Sequence, residues 1–135
     1  MIYAFDTNII SAILKEDKNI ISRYYQEVAR GSNFIIPPIV FYEIERGLLA
    51  KNLLVKRRAF FSFCKDVKVG EFNLDVWSKS AEIYATLSKQ GKPIGNTFEG
   101  DVFIAGYCVI NNYTLVTRNT KDFERVDGLK LVNWF

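Results

Sequence analysis

Four apolar residues in a row, Ile2-Tyr3-Ala4-Phe5, followed at once by Asp6-Thr7-Asn8, constrain this chain more than any other stretch. A strand with one face in water alternates apolar with polar residues. This one does not alternate, so it must be buried on both faces. Such strands belong to parallel sheets, whose crossover connections lay helices on either side. The carboxylate directly after the strand then stands at the C-terminal edge of the sheet, where open α/β sheets place their ligands. Asp, Thr and Asn are also strong N-cap residues, so Asp6 reads equally well as a helix cap or as a site acid.

The rest of the chain alternates helix and strand patterns. Ile9 to Lys15 fits a short helix. Ile20, Ile21, Tyr24, Tyr25 and Val28 mark an amphipathic one ended by Gly31. Phe34-Ile35-Ile36 is a second strand, stopped by Pro37-Pro38. Helices are expected from about Pro38 to Ala50 and from Leu53 to Cys64, then a weak strand over Val67 to Phe72, interrupted by Gly70. Leu74, Trp77, Ala81, Tyr84 and Leu87 form the clearest helical stripe, ended by Gly91. Lys92 to Glu99 is a loop punctuated by Pro93, Gly95 and Asn96. Val102 to Ile110 is apolar throughout and predicts a buried helix ended by Asn111-Asn112. Thr114 to Thr117 and Leu129 to Val132 are strands, the last at a sheet edge. The expectation is one α/β domain over residues 1–135. It has three layers, with helices flanking a mainly parallel central sheet of roughly four or five strands.

Composition excludes several chemistries. Histidine is absent, which removes imidazole acid–base catalysis, Ser-His-Asp hydrolysis and His-ligated metal sites. Cys64 and Cys108 lack zinc-like spacing and read as buried core thiols. No apolar run approaches the roughly 18 residues of a membrane span, and no leader pattern opens the chain, so a cytoplasmic protein is expected. The net charge of +3 is too small to diagnose a polyanion partner. Its distribution says more: Arg46, Lys51, Lys56, Arg57, Arg58 and Lys65 occur with no acid between them, a local positive field.

Chemistry must therefore come from carboxylates, and the question is which of them join Asp6. Turning about 100° per residue from Pro38 places Val40, Ile44, Gly47 and Leu48 on one side of a helix. Glu43 falls roughly 60° from Val40, at the rim of that apolar face, while Glu45 and Arg46 point away. A surface salt bridge is the plainer explanation for Glu43. Asp101 directly precedes the buried helix, which fixes its position, and an N-cap role is compatible with that. Glu99 is a looser candidate on the preceding loop. After the strand ending at Thr117 come Asn119 and Asp122, a hydroxyl, an amide and a carboxylate at a strand end, or simply a polar turn. Clustered carboxylates raise one another's pKa unless a cation neutralises them, and oxygen donors with room for water suit Mg²⁺ or Mn²⁺. Such an ion activates water and offsets the charge that develops on a phosphodiester, while a basic surface holds the polyanion.

In this order and spacing the motifs resemble those of PIN-domain ribonucleases of the VapC toxin family, over nearly the whole chain. Ala4-Phe5-Asp6-Thr7-Asn8 is similar to the family's strand ending in Asp-Thr-Asn. Phe41 to Gly47 resembles its second, Glu-bearing motif, and Ala81 to Leu87 with Gly91 to Gly95 resembles the helix and loop before the third. Asp101-Val102-Phe103-Ile104-Ala105 resembles its Asp-x-x-Ile-Ala, and Thr117-Arg118-Asn119 with Asp122-Phe123 its closing pattern. Two departures stand out. Asn96 to Gly100 lengthens the approach to Asp101, which keeps Glu99 in play, and Asn119 stands where some PIN domains have Asp.

The resemblance implies a Mg²⁺-dependent endoribonuclease, with Mn²⁺ as a substitute, acting on tRNA or rRNA and held inactive by a VapB-like antitoxin. It implies Asp6 and Asp101 as metal ligands, Glu43 orienting the attacking water, and Thr117, Asn119 and Asp122 as supporting groups. It implies a homodimer as well. Phe60 to Lys65 with Leu48, Leu49, Leu53 and Leu54 is the candidate surface for one of these protein contacts, unless the leucines are ordinary helix packing. The alternatives are a PIN-type nuclease in general RNA or DNA processing, or an inactive PIN module used for binding. A receiver-like signalling domain fits poorly, because no Asp ends Phe34-Ile35-Ile36 or Val67-Lys68-Val69.

Overall fold

The computed structural model describes residues 1–92 and 99–135, and the expected loop punctuation at Pro93, Gly95 and Asn96 lies outside them. The elements run β1 (Ile2–Phe5), α1 (Thr7–Leu14), α2 (Lys18–Ala29), β2 (Asn33–Ile36), α3 (Pro38–Ala50) and α4 (Leu54–Asp66). They continue with β3 (Lys68–Val69), α5 (Leu74–Lys89), α6 (Gly100–Asn111), β4 (Thr114–Val116), α7 (Thr120–Phe123) and β5 (Lys130–Val132). The five strands lie in the order β3-β2-β1-β4-β5, and every pairing is parallel. β1 is therefore central, as its unbroken apolar run requires, and the two-residue β3 and the C-terminal β5 are the edges. Among the described residues no helix is long and apolar enough to cross a membrane.

Period-2 alternation assigns the faces. Phe5 and Phe34 stack at 5.4 Å and meet Tyr24 of α2 and Phe63 of α4, so α2 and α4 cover that side. Trp134, beyond β5, packs edge-on against Tyr3 and Phe5 at 5.5 Å each. Ile35 points to the opposite side, where Tyr107 of α6 crosses Gly70 so closely that a Cβ there would collide with its ring. That crossing explains the glycine that interrupts the weak third strand. α5 forms the next shell outside α6.

Three expectations need correction. The buried face of α5 is Val76, Ser80, Ile83 and Leu87, so Leu87 alone of the expected stripe lies on it. Leu74, Trp77 and Tyr84 are exposed, with Trp77 edge-on to Phe72 and Phe103 at 5.1 Å each. The cause is close helix–helix approach. A Cβ on Gly106 of α6 would sit 2.2 Å from Ser80 Oγ, and that hydroxyl is satisfied internally by donating to Val76 O at 2.8 Å. On α2, Tyr25 and Val28 are exposed, and Glu27 joins Ile20 as a buried residue. Burial disfavours its charge, but Ser32, Arg30 and Arg23 outweigh this and hold its pKa below the usual range. Glu45 points away from the apolar face of α3 as expected and meets α4, where it pairs with Arg57, which removes one charge from the expected basic field. Of the two thiols, Cys108 is buried as expected and Cys64 only half-buried.

The Ser80–Gly106 crossing predicts an asymmetry between two helical glycines. Gly106→Ala should destabilise the protein by about 1–3 kcal/mol through overpacking. Gly47→Ala, at a position where a Cβ would meet nothing within 4 Å, should be neutral or stabilising by up to about 1 kcal/mol. Urea unfolding midpoints of both variants against the parent measure this.

Candidate active site

Parallel register brings the first two site groups together. Phe5 pairs with Val116, so the next residues on each strand, Asp6 and Thr117, stand side by side at the C-terminal edge of the sheet. Thr117 is fully buried and its hydroxyl donates to Asp6 Oδ2 at 2.7 Å. The backbone N–H of Thr7 donates to Asp6 Oδ1 at 2.7 Å, which makes Asp6 the N-cap of α1 as well. Cap and buried acid are thus one residue, so the capping reading of the opening triplet holds and leaves the other open.

Asn8 ties this corner together. Its Nδ2 donates to Asp6 Oδ2 at 3.3 Å and to Thr117 Oγ1 at 3.5 Å, and its Oδ1 accepts from the N–H of Arg118 at 3.2 Å. The N–H of Asn119 donates to Thr117 Oγ1 at 3.0 Å, so Asn119 takes part through its backbone. Asn8 was hidden in the sequence because an Asn two residues into a helix start looks like capping chemistry.

Two more carboxylates arrive from separate helices. Glu43 comes from α3, at the edge of the buried face made by Val40, Ile44 and Leu48. Its Oε1 and Thr7 Oγ1 are both buried, and neither meets a hydrogen-bond partner in proper geometry among the described residues. Asp101 lies in the first turn of α6, not at its cap. Glu99 holds the cap position, is exposed, and offers no side-chain cap bond. Asp122 sits in the first turn of α7.

The electrostatics show that these acids share one pocket. Glu43 is pushed up to about 7, first by burial and then by the charges of Asp6 and Asp101, with Arg46 and Thr7 opposing. Asp101 is pushed up to about 6 by burial, then by Asp6 and Asp122. Burial also raises Asp6, against the three hydrogen bonds from Thr117, Thr7 and Asn8 that favour its charge. Of the sequence candidates, then, Asp6, Glu43, Asp101, Asp122 and Thr117 come together, Asn119 lends its backbone, and Glu99 stays outside. Beside Glu43 a groove of about 220 Å³ opens between α1 and α3, edged by Lys15, Lys51 and Lys56.

A cation fits this donor set. Every donor is oxygen, Glu43 Oε1 and Thr7 Oγ1 have no partner in hydrogen-bond geometry, and the charges of Asp6 and Asp101 push Glu43 up more than Arg46 pulls it down. Among the described residues no group of three or more His, Cys, Asp or Glu side chains is arranged to hold a metal ion by itself. A small hard ion that keeps part of its water suits such an open arrangement.

The model of the PIN domain family matches residues 3–129. The chain belongs to the PIN-domain family. It is 30% identical to Ribonuclease VapC1 of Haemophilus influenzae strain R2866, over 99% of this chain and 98% of that protein, which places it among the VapC proteins. It is 33% identical to the tRNA(fMet)-specific endonuclease VapC of Shigella flexneri, over 70% of this chain and 67% of the relative. One chain of the VapBC2 structure from Rickettsia felis, bound to a DNA fragment from their promoter, superposes with a TM-score of 0.89. That match is 27% identical and covers 100% of both chains.

The raised acids of this PIN domain give it a definite pH response without metal. Glu43 and Asp101 hold their protons to higher pH when folded, about 7 and 6, than at their ordinary values of 4.5 and 3.8. Their contribution to stability is complete below the ordinary values and is lost as pH rises through 6 to 7. The melting temperature of metal-free protein should fall over that window, and Glu43→Gln should flatten the fall. A divalent ion should restore more stability above pH 7 than below pH 5.

Proposed function

We propose that this VapC ribonuclease toxin hydrolyses RNA phosphodiester bonds with Mg²⁺ held between Asp6 and Asp101. The observation that carries the reading is the convergence of Asp6 at the end of β1, Glu43 on α3 and Asp101 in the first turn of α6, half-buried or buried and near enough that the charge of Asp6 raises both of the others. Three separate elements spend folding energy to bring like charges together, and a divalent cation relieves that repulsion. When bound, Mg²⁺ supplies Lewis-acid stabilisation of the charge that builds on the phosphate oxygens. Mn²⁺ has the same ligand preferences and substitutes for it.

The chain's own groups divide the remaining work. Thr117 and Asn8 orient the Asp6 carboxylate, and Asn119 fixes the Thr117 hydroxyl through its backbone N–H. Glu43, with a pKa near the working pH, aligns the attacking water and accepts its proton. Asp122 adds negative potential at Asp101 and reaches the pocket through water. The substrate class is structured RNA, tRNA or rRNA. The Shigella flexneri relative, named for tRNA(fMet), supports tRNA first.

The protein partner is a VapB-like antitoxin, in line with the VapBC assembly from Rickettsia felis. Its docking surface is α4, where Leu54 and Phe61 are half-exposed beside Arg57, Arg58 and Lys65 around a cavity of about 420 Å³. Leu49 and Leu53 extend that apolar surface, whereas Leu48 is core. A second copy of the chain has the exposed Leu74, Trp77 and Tyr84 of α5 to pack against. The complex works in the cytoplasm, where its RNA is.

Purified protein should cleave tRNA only when Mg²⁺ or Mn²⁺ is added, and Asp6→Asn or Asp101→Asn should abolish cleavage with the fold intact by circular dichroism. Parent-like cleavage by either variant sinks the metal assignment. Thr117→Val should weaken Mn²⁺ binding by about 10–100-fold, because it removes the donor that orients a ligand. Calorimetric titration of the ion measures this independently of turnover.

A further inference from the structure

A pocket of four acids repels the RNA it cuts, so cations beside it must hold the strand. The strongest such feature is at the end of β4. Arg118 follows Thr117 directly, and its backbone N–H is bound to Asn8 Oδ1, one side chain away from Asp6. Its side chain is exposed and pairs with no carboxylate among the described residues. The guanidinium carbon lies 3.8 Å from the centroid of the Phe135 ring, which is 43% exposed.

This stack is built, not incidental. β5 runs parallel to β4, so the residues after it emerge at the same sheet edge as Asp6. Trp134 is 7% exposed and wedged against Tyr3, Phe5 and Arg23, which anchors the chain immediately before Phe135. The N–H of Phe135 donates to Asn133 Oδ1 at 2.8 Å, closing a local turn that aims the ring. A guanidinium held over a ring face still has N–H donors to direct outward, and the fork of those donors matches phosphate oxygens.

We propose that Arg118 and Phe135 form a seat for the nucleotide adjoining the scissile bond. Arg118 grips its phosphate, and the exposed part of the Phe135 ring stacks on its base. The proposal rests on the ribonuclease reading above and deepens it. A rim made of a pre-oriented arginine and an aromatic face matches how proteins hold single-stranded nucleic acid: charge for the backbone, a π-face for the base.

The test is steady-state cleavage of unfractionated tRNA with Mg²⁺ by parent, Arg118→Gln, Arg118→Lys and Phe135→Leu, at several salt concentrations. Arg118→Gln should raise KM about tenfold, and flatten the dependence of log(kcat/KM) on log salt by about one phosphate contact. Arg118→Lys should keep the salt slope and lose only part of the affinity, and Phe135→Leu should raise KM with the slope unchanged. Melting temperature and calorimetric Mn²⁺ affinity should match the parent in all three. Unchanged KM and salt slope in Arg118→Gln, with the parent active, overturn the seat and leave the ribonuclease reading standing. A loss of melting temperature and Mn²⁺ affinity in step with KM overturns it too, since the stack is then a structural clamp. Weakened binding of a VapB-type antitoxin with RNA kinetics unchanged assigns the stack to that partner and also overturns the proposal. A parent inert toward RNA with Mg²⁺ overturns both readings together.

Discussion

The hydrogen bond from the Thr117 hydroxyl to Asp6 Oδ2 joins the ends of two neighbouring strands, and the site depends on it. A carboxylate that is 3% exposed cannot keep its charge without donors, and Asp6 has three. Burial raises its pKa all the same, as it raises those of Glu43 and Asp101, where neighbouring carboxylates push further. The pocket therefore has a rigid half, in which three hydrogen bonds oppose that rise and fix the Asp6 carboxylate in place. Asn8 extends the rigid half by bridging both partners of the central bond.

How legible this was depends on whether a residue's neighbours are near in sequence. Ile2 to Phe5 announced a central parallel strand, because only burial on both faces tolerates such a run. The acids after or beside buried elements were equally readable, since an apolar strand or helix fixes where its flanking residue goes. The α5 stripe misled because the pattern weighs Trp77 and Tyr84 as core and Ser80 as surface. The fold reverses this through Gly106, a residue on another helix that no local pattern reveals. The pairings of Glu27 and Glu45 were unreadable for the same reason: Ser32 with the two arginines neutralises one, and Arg57 across the α3–α4 turn captures the other. Asp101 moved from the cap into the first turn, a shift of two positions that leaves it beside Asp6 and Glu43.

Charge is organised more finely than a net value of +3 suggests. The sheet edge concentrates acids, while Lys15, Lys51 and Lys56 edge the groove beside Glu43 and Arg118 stands across the Asp6 corner. Potential near a surface follows such local groupings within about 10 Å at ordinary salt, not the total. A polyanion approaching this edge meets cations first and the carboxylates last.

The site also has a history written into its order along the chain. The hydroxyl partner of Asp6 lies 111 residues later, at the end of β4, which is itself paired with β5. No fragment that lacks β4 can assemble the site, because the central strand then has a neighbour on one side only and Asp6 lacks its hydroxyl partner. A ribosome that stalls or releases the chain before β4 yields a product with scattered acids and no site. For a ribonuclease, this topology makes competence conditional on synthesis having passed Thr117.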